Sequence, residues 1–130
     1  MKAIDHLFHF FLRFRYPVSL PGDIANALGV DVSNFLTFDE FVTQLTSANC
    51  RPTKLTKFMP RARVEKAFCG ALRKEHFKEK TIFSYYFSEG WMEFVLLFDE
   101  QSRLRRIYIQ HKLIEKEEGV EIPLNRDPEI

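Results

Sequence analysis

Apolar residues recur at spacings of three and four through the first half of the chain, then alternate with polar ones through much of the second. Ile4, Leu7, Phe8, Phe11 and Phe14 form one helical stripe over residues 3–15, with Asp5, His9 and Arg13 on the opposite side and Pro17 beyond its end. A second, short helix is predicted over residues 20–28, with Ser19 as a candidate cap, Pro21 in the first turn and Gly29 just past the end. Thr37 is the candidate cap of a third. Its first turn carries Asp39 and Glu40, its stripe is Phe38, Phe41, Val42 and Leu45, and Asn49 and Pro52 end it. Pro60 opens a fourth helix, in which Val64, Ala67, Phe68, Ala71 and Leu72 keep helical spacing to about Glu75.

After that the period changes. Residues 81–87 and 91–98 are rich in aromatic and branched side chains and flank Ser88, Glu89 and Gly90, which predicts a hairpin. A turn at residues 99–102 leads to a third strand from Leu104 to about His111. The fold class expected is α+β, with about four short helices preceding a three-stranded antiparallel meander. Residues 1–122 are expected to form one domain and 123–130, with Pro123 and Pro128, a flexible acidic tail.

Composition narrows the function classes. In 130 residues, 45% are hydrophobic and 28% charged, the balance of an ordinary globular chain rather than a disordered or disulfide-stapled one. Phe is unusually frequent, at 14. The net charge of +1 gives no general attraction to nucleic acid or anionic membrane. Locally the charge is uneven: residues 51–80 hold ten Lys and Arg against three Glu (+7), and residues 111–130 hold three against six acids (−3). A solvated helix face that pairs with the acidic tail accounts for this, and a site for phosphate or an acidic partner is the alternative. Asp5, His6 and His9 break the apolar run at the amino terminus, so neither a signal peptide nor a membrane span is expected. Cys50 and Cys69 are read as free thiols of a cytoplasmic protein, with Cys69 in the core.

Candidate chemistry is sparse. Asp23-Ile24-Ala25-Asn26-Ala27-Leu28-Gly29-Val30 resembles the first helix and turn of bacterial helix-turn-helix domains. The helix that would read DNA, however, offers Asp31, Asp39 and Glu40 and no Lys or Arg. The stretch 36–42 also resembles the exit of an EF-hand with Glu40 at the bidentate position, but Gly29 stands where the first ligand should be and Asn34 where glycine is needed. His6 and His9 have no further ligands at metal spacing, and Cys69 and His76 are too far apart for a nucleophile and its base. No catalytic set, metal site or cofactor is therefore expected. Phe83, Tyr85 and Phe87 share a strand face, as do Phe94 and Phe98, with Arg103, Arg105 and Arg106 nearby. Such a surface can stack bases, but a core face packed by helices is the favoured reading.

Met59-Pro60-Arg61-Ala62-Arg63-Val64-Glu65-Lys66-Ala67-Phe68, the strands around Tyr85-Tyr86 and residues 94–98, and the turn 99–102 together resemble the small domain of the outer-membrane lipoprotein family SmpA/OmlA. The resemblance spans residues 59–112, without that family's lipidated export signal, and implies a non-catalytic scaffold for protein contacts. The expected function is accordingly a protein-interaction or adaptor module and not an enzyme. Its partner would be an unidentified protein or a second copy, and its surface would include Tyr85, Phe87, Trp91, Arg105 and Arg106. The alternative is a helix-turn-helix DNA-binding protein using residues 21–40 with the basic segment 51–80, through Ser33, Asn34, Thr37, Arg61 and Arg63. Nucleic acid is the disfavoured partner.

Overall fold

A computed structural model describes residues 18–30, 37–47, 51–114 and 116–126. The helix expected over 3–15, Ser33, Asn34, Cys50 and residues 127–130 lie outside them. The described part is α+β: three helices, α1 (Pro21–Leu28), α2 (Phe38–Leu45) and α3 (Arg61–Ala67), and a five-stranded antiparallel sheet. The sheet runs in sequence order, β2 (Arg73–His76), β3 (Lys80–Phe87), β4 (Gly90–Phe98), β5 (Leu104–Gln110) and β6 (Val120–Glu121). A separate two-stranded parallel pair joins β1 (Thr56–Lys57) to β7 (Asn125–Arg126). Part of the segment assigned above to the tail is therefore paired.

Local chemistry accounts for the helix ends. In α2 the Thr37 hydroxyl accepts the Glu40 amide at 3.2 Å, and Asp39 and Glu40 complement the positive end of the helix dipole. In α1 the cap is Leu20, whose amide donates to the Asp23 carboxylate at 2.8 Å. Ser19, the expected cap, bonds instead to β3: its amide donates to the Tyr86 carbonyl and its hydroxyl accepts the Tyr86 amide. Gly29 ends α1 with φ of 72°, where a Cβ would collide with Thr53. That close approach lets Thr53 and Lys54 donate to the last carbonyls of the helix.

The fourth predicted helix is shorter than its apolar spacing implied. It stops at Ala67, and residues 73–76 form β2, paired with Ser84 to Thr81 of β3. Ala71 and Leu72 keep helical spacing by coincidence, because the ladder to β3 satisfies more backbone groups than another turn of helix could. The turn at residues 68–70 also leaves Cys69 exposed rather than in the core.

All three helices pack on one face of the sheet. Ile24, Leu28, Phe41, Leu45, Val64 and Phe68 share a cluster with Phe83, Tyr85, Phe87, Met92, Phe94 and Ile107. Phe68 stacks on Phe83 with centroids 4.8 Å apart, and Phe38 and Phe41 meet Phe87 at 5.0 and 6.1 Å. One arginine ties α3 to the β2–β3 turn. The Arg61 guanidinium donates to the carbonyls of Phe77 at 2.6 Å, Lys78 at 2.7 Å and Lys80 at 3.1 Å and to the Thr81 hydroxyl at 2.8 Å. It also lies over the Phe98 ring at 4.7 Å, with Glu65 one helical turn away at 3.8 Å.

Candidate interaction surface

The other face of the sheet follows from the two-residue period of its strands. Ile82 stands beside Val95 and Val95 beside Tyr108, Tyr86 beside Trp91, and Leu97 beside Arg106. All but the exposed Arg106 are partly exposed. The described helices pack on the opposite side, and where a solvent-facing sheet ordinarily turns polar side chains outward, here Ile82, Val95, Leu97 and Tyr108 stand among the polar Ser84, Glu93 and Gln110. Tyr86 meets Trp91 edge-on at 5.1 Å, and the Arg73 guanidinium lies 5.3 Å from the Trp91 ring centre.

At one end of this face the ladder between β4 and β5 is irregular. Leu97 pairs with Arg106 and Phe98 with Leu104, so Arg105 is the extra residue of a bulge. Neighbours on a regular strand point to opposite faces, whereas here Arg105 and Arg106 are both exposed and line the same cavity of about 290 Å³. Lys57, Glu121, Ile122 and Leu124 complete much of its wall. Arg106 lies 3.6 Å from Glu121 and donates to the Tyr108 hydroxyl at 3.4 Å.

Phe58 anchors the cations on the other side. Its ring centre is 4.7 Å from the Arg105 guanidinium, 5.4 Å from that of Arg103 and 5.6 Å from the Lys57 ammonium. Its backbone has φ of 73°, left-handed and unfavourable for a bulky side chain. A bond from its amide to the Leu104 carbonyl and one from the Leu104 amide to the Met59 carbonyl hold that conformation. Asp99 is the acid beside the group. Burial pushes its carboxyl up, but amide bonds from Arg103 and Gln101, with the Arg103 and Arg105 guanidiniums, hold it below the ordinary value.

The residues expected at a binding surface separate into three environments. Trp91 lies on the outer face, and Arg105 and Arg106 line the cavity. Tyr85 and Phe87 are buried in the core, contrary to their expected place on the surface, because the strand period turns them toward the helices. Burial, followed by the charges of Asp23 and Cys69, raises the Tyr85 phenol well above its ordinary range. Among the residues of the DNA-reading alternative, Thr37 spends its hydroxyl as a helix cap and Arg61 is buried, so it cannot meet a phosphate. Arg63 is exposed, and the exposed side of α2 carries Asp39 and Glu40. Lys57 and Phe58 were missing from the sequence reading. Their only signal was membership of the basic segment, since nothing in Lys54-Leu55-Thr56-Lys57-Phe58 announces a left-handed phenylalanine.

Among the described residues no helix is long and apolar enough to cross a membrane, and no group of three or more His, Cys, Asp or Glu could hold a metal ion. Comparison with protein-family models, curated proteins and solved structures finds no match to this chain.

Proposed function

We propose that the protein is a non-catalytic interaction module that docks through the outer face of its sheet, with a second copy of the chain as the occupant. The observation that carries this reading is the arrangement of the sheet: among the described residues three helices cover one face, while the partly exposed Ile82, Val95, Leu97 and Tyr108 stand on the other. Tyr and Arg, here Tyr108 and the adjoining Arg106, are among the residue types that most often anchor protein interfaces. The edges of the sheet favour the face over strand addition. β2 is short and carries Arg73, Lys74, Glu75 and His76, a charged composition that discourages edge pairing, and the segments around β1 and β6 bond to β5. The resemblance of residues 59–112 to a scaffold domain supports the same reading.

Trp91 is the sole tryptophan, so its emission reports on this face alone. Raising the protein concentration is expected to increase the mass measured by sedimentation and to shift Trp91 emission to the blue. Val95→Lys is expected to abolish both while leaving the circular dichroism unchanged. A constant monomer mass with constant Trp91 emission across the concentration series would overturn the proposal.

A further inference from the structure

We infer that the cavity at the β5 bulge is a binding site for a phosphate monoester, held by Arg105, Arg106 and Lys57. Three observations converge on it. The bulge brings two consecutive arginines into one cavity of about 290 Å³, an arrangement that a regular strand forbids. A phenylalanine kept in a left-handed conformation holds Lys57 and Arg105 around its ring, against their mutual repulsion. Charge is also left over. Among the described residues that line the cavity, three cations face one acid, Glu121, which is 3.6 Å from Arg106, and Asp99 stands 3.8 Å from Arg105 outside that lining.

The donors fit phosphate better than carboxylate. A carboxylate is satisfied by the fork of a single guanidinium, whereas the three terminal oxygens of a phosphate monoester can accept from two guanidiniums and an ammonium together. Ile122 and Leu124 supply an apolar wall for the group that carries the phosphate. The inference goes beyond docking through the outer face and does not depend on it, since a chain that stays monomeric would still bind phosphate here.

An NMR titration of the full ¹⁵N-labelled chain tests it, reading the arginine Nε–H signals and the backbone amides of residues 57, 105 and 106. The ligands are inorganic phosphate, a short phosphoserine peptide, the same peptide unphosphorylated, and acetate. Phosphate is expected to give saturable shifts with a Kd of about 1 mM or tighter, and acetate to bind about tenfold more weakly. The double variant Arg105→Gln/Arg106→Gln is expected to lose the response with its amide dispersion intact, and Lys57→Gln to weaken it. If the phosphopeptide binds about tenfold or more tightly than phosphate, the source is a phosphorylated protein segment; any smaller ratio assigns a small phosphorylated molecule. Shifts that never saturate, an equal response to acetate, or a response retained in the double glutamine variant would overturn the assignment.

Discussion

Arg61 and Arg105 lie in neighbouring parts of the fold, since Pro60 bridges to Arg103 at the start of β5 and the Arg61 amide bonds to the Ser102 carbonyl. Arg61 leaves 10% of its side chain exposed and Arg105 leaves 46%. At Arg61 the guanidinium donates to three backbone carbonyls and a hydroxyl, with Glu65 at 3.8 Å, and these bonds hold the β2–β3 turn against α3. At Arg105 the guanidinium has Asp99 at 3.8 Å, the Phe58 ring, and two further cations near that ring. The comparison teaches that basic charge on this chain has two uses. Enclosed by acceptors it belongs to the fold, and presented by a bulge it remains available to a ligand.

The largest effect should come from Arg61. Arg61→Met keeps much of the packing against Phe98 and removes the Arg61 donor from the carbonyls of Phe77 and Lys78 and from that of Lys80, which keeps the Phe77 amide. It also leaves Glu65 without this cation, so urea unfolding should show a loss of about 3–5 kcal/mol. A loss no larger than that of an exposed arginine would erase the distinction between the two centres. Asp99→Asn comes next. Asparagine can still accept the Gln101 and Arg103 amides, so near neutral pH the variant should lose only about 0.5–1 kcal/mol, the value of an exposed ion pair.

That difference should depend on pH with a definite sign. The folded carboxyl lies below its ordinary value of 3.8, so its contribution is complete above that value and disappears as pH falls through the folded one. Wild type and Asp99→Asn should therefore converge in stability below about pH 3.8 when unfolding is followed across an acid series. The smallest effect is expected for Arg105→Gln, a change of at most about 0.5 kcal/mol in the same unfolding assay. A substantially larger loss would show that the bulge arginine, like Arg61, belongs to the fold.

Much of the secondary structure was legible because it rests on local periodicity. Phe41, Val42 and Leu45 at helical spacing behind Thr37 placed α2 and its core face, and the alternation of Phe83, Tyr85 and Phe87 placed β3, although Tyr85 and Phe87 were expected on the interaction surface and are buried. The strand β2 was illegible for a physical reason. Arg73-Lys74-Glu75-His76 has no apolar alternation, being an exposed edge strand, and its extended form depends on β3 and on Arg61 holding the turn that follows. At the site, Arg105 and Arg106 could be named from their place beside aromatic strands. Lys57 and Phe58, nearly fifty positions earlier in the chain, could not be joined to them without knowing that the Phe58 amide bonds to Leu104.

The sequence by itself determined the α+β class, the order of the described helices ahead of the main strands, and the two-residue period that puts Phe83, Tyr85 and Phe87 on one side of β3. These depend on interactions within one turn of helix or one hairpin, which neighbouring residues specify. Only the tertiary structure decided that Arg61 turns inward while Arg105 and Arg106 share a cavity, and that residues 125–126 pair with residues 56–57. The fate of a charged side chain depends on which acceptors surround it. For Arg61 these are carbonyls fifteen or more positions away, brought near by the folding of the chain and by no pattern within it.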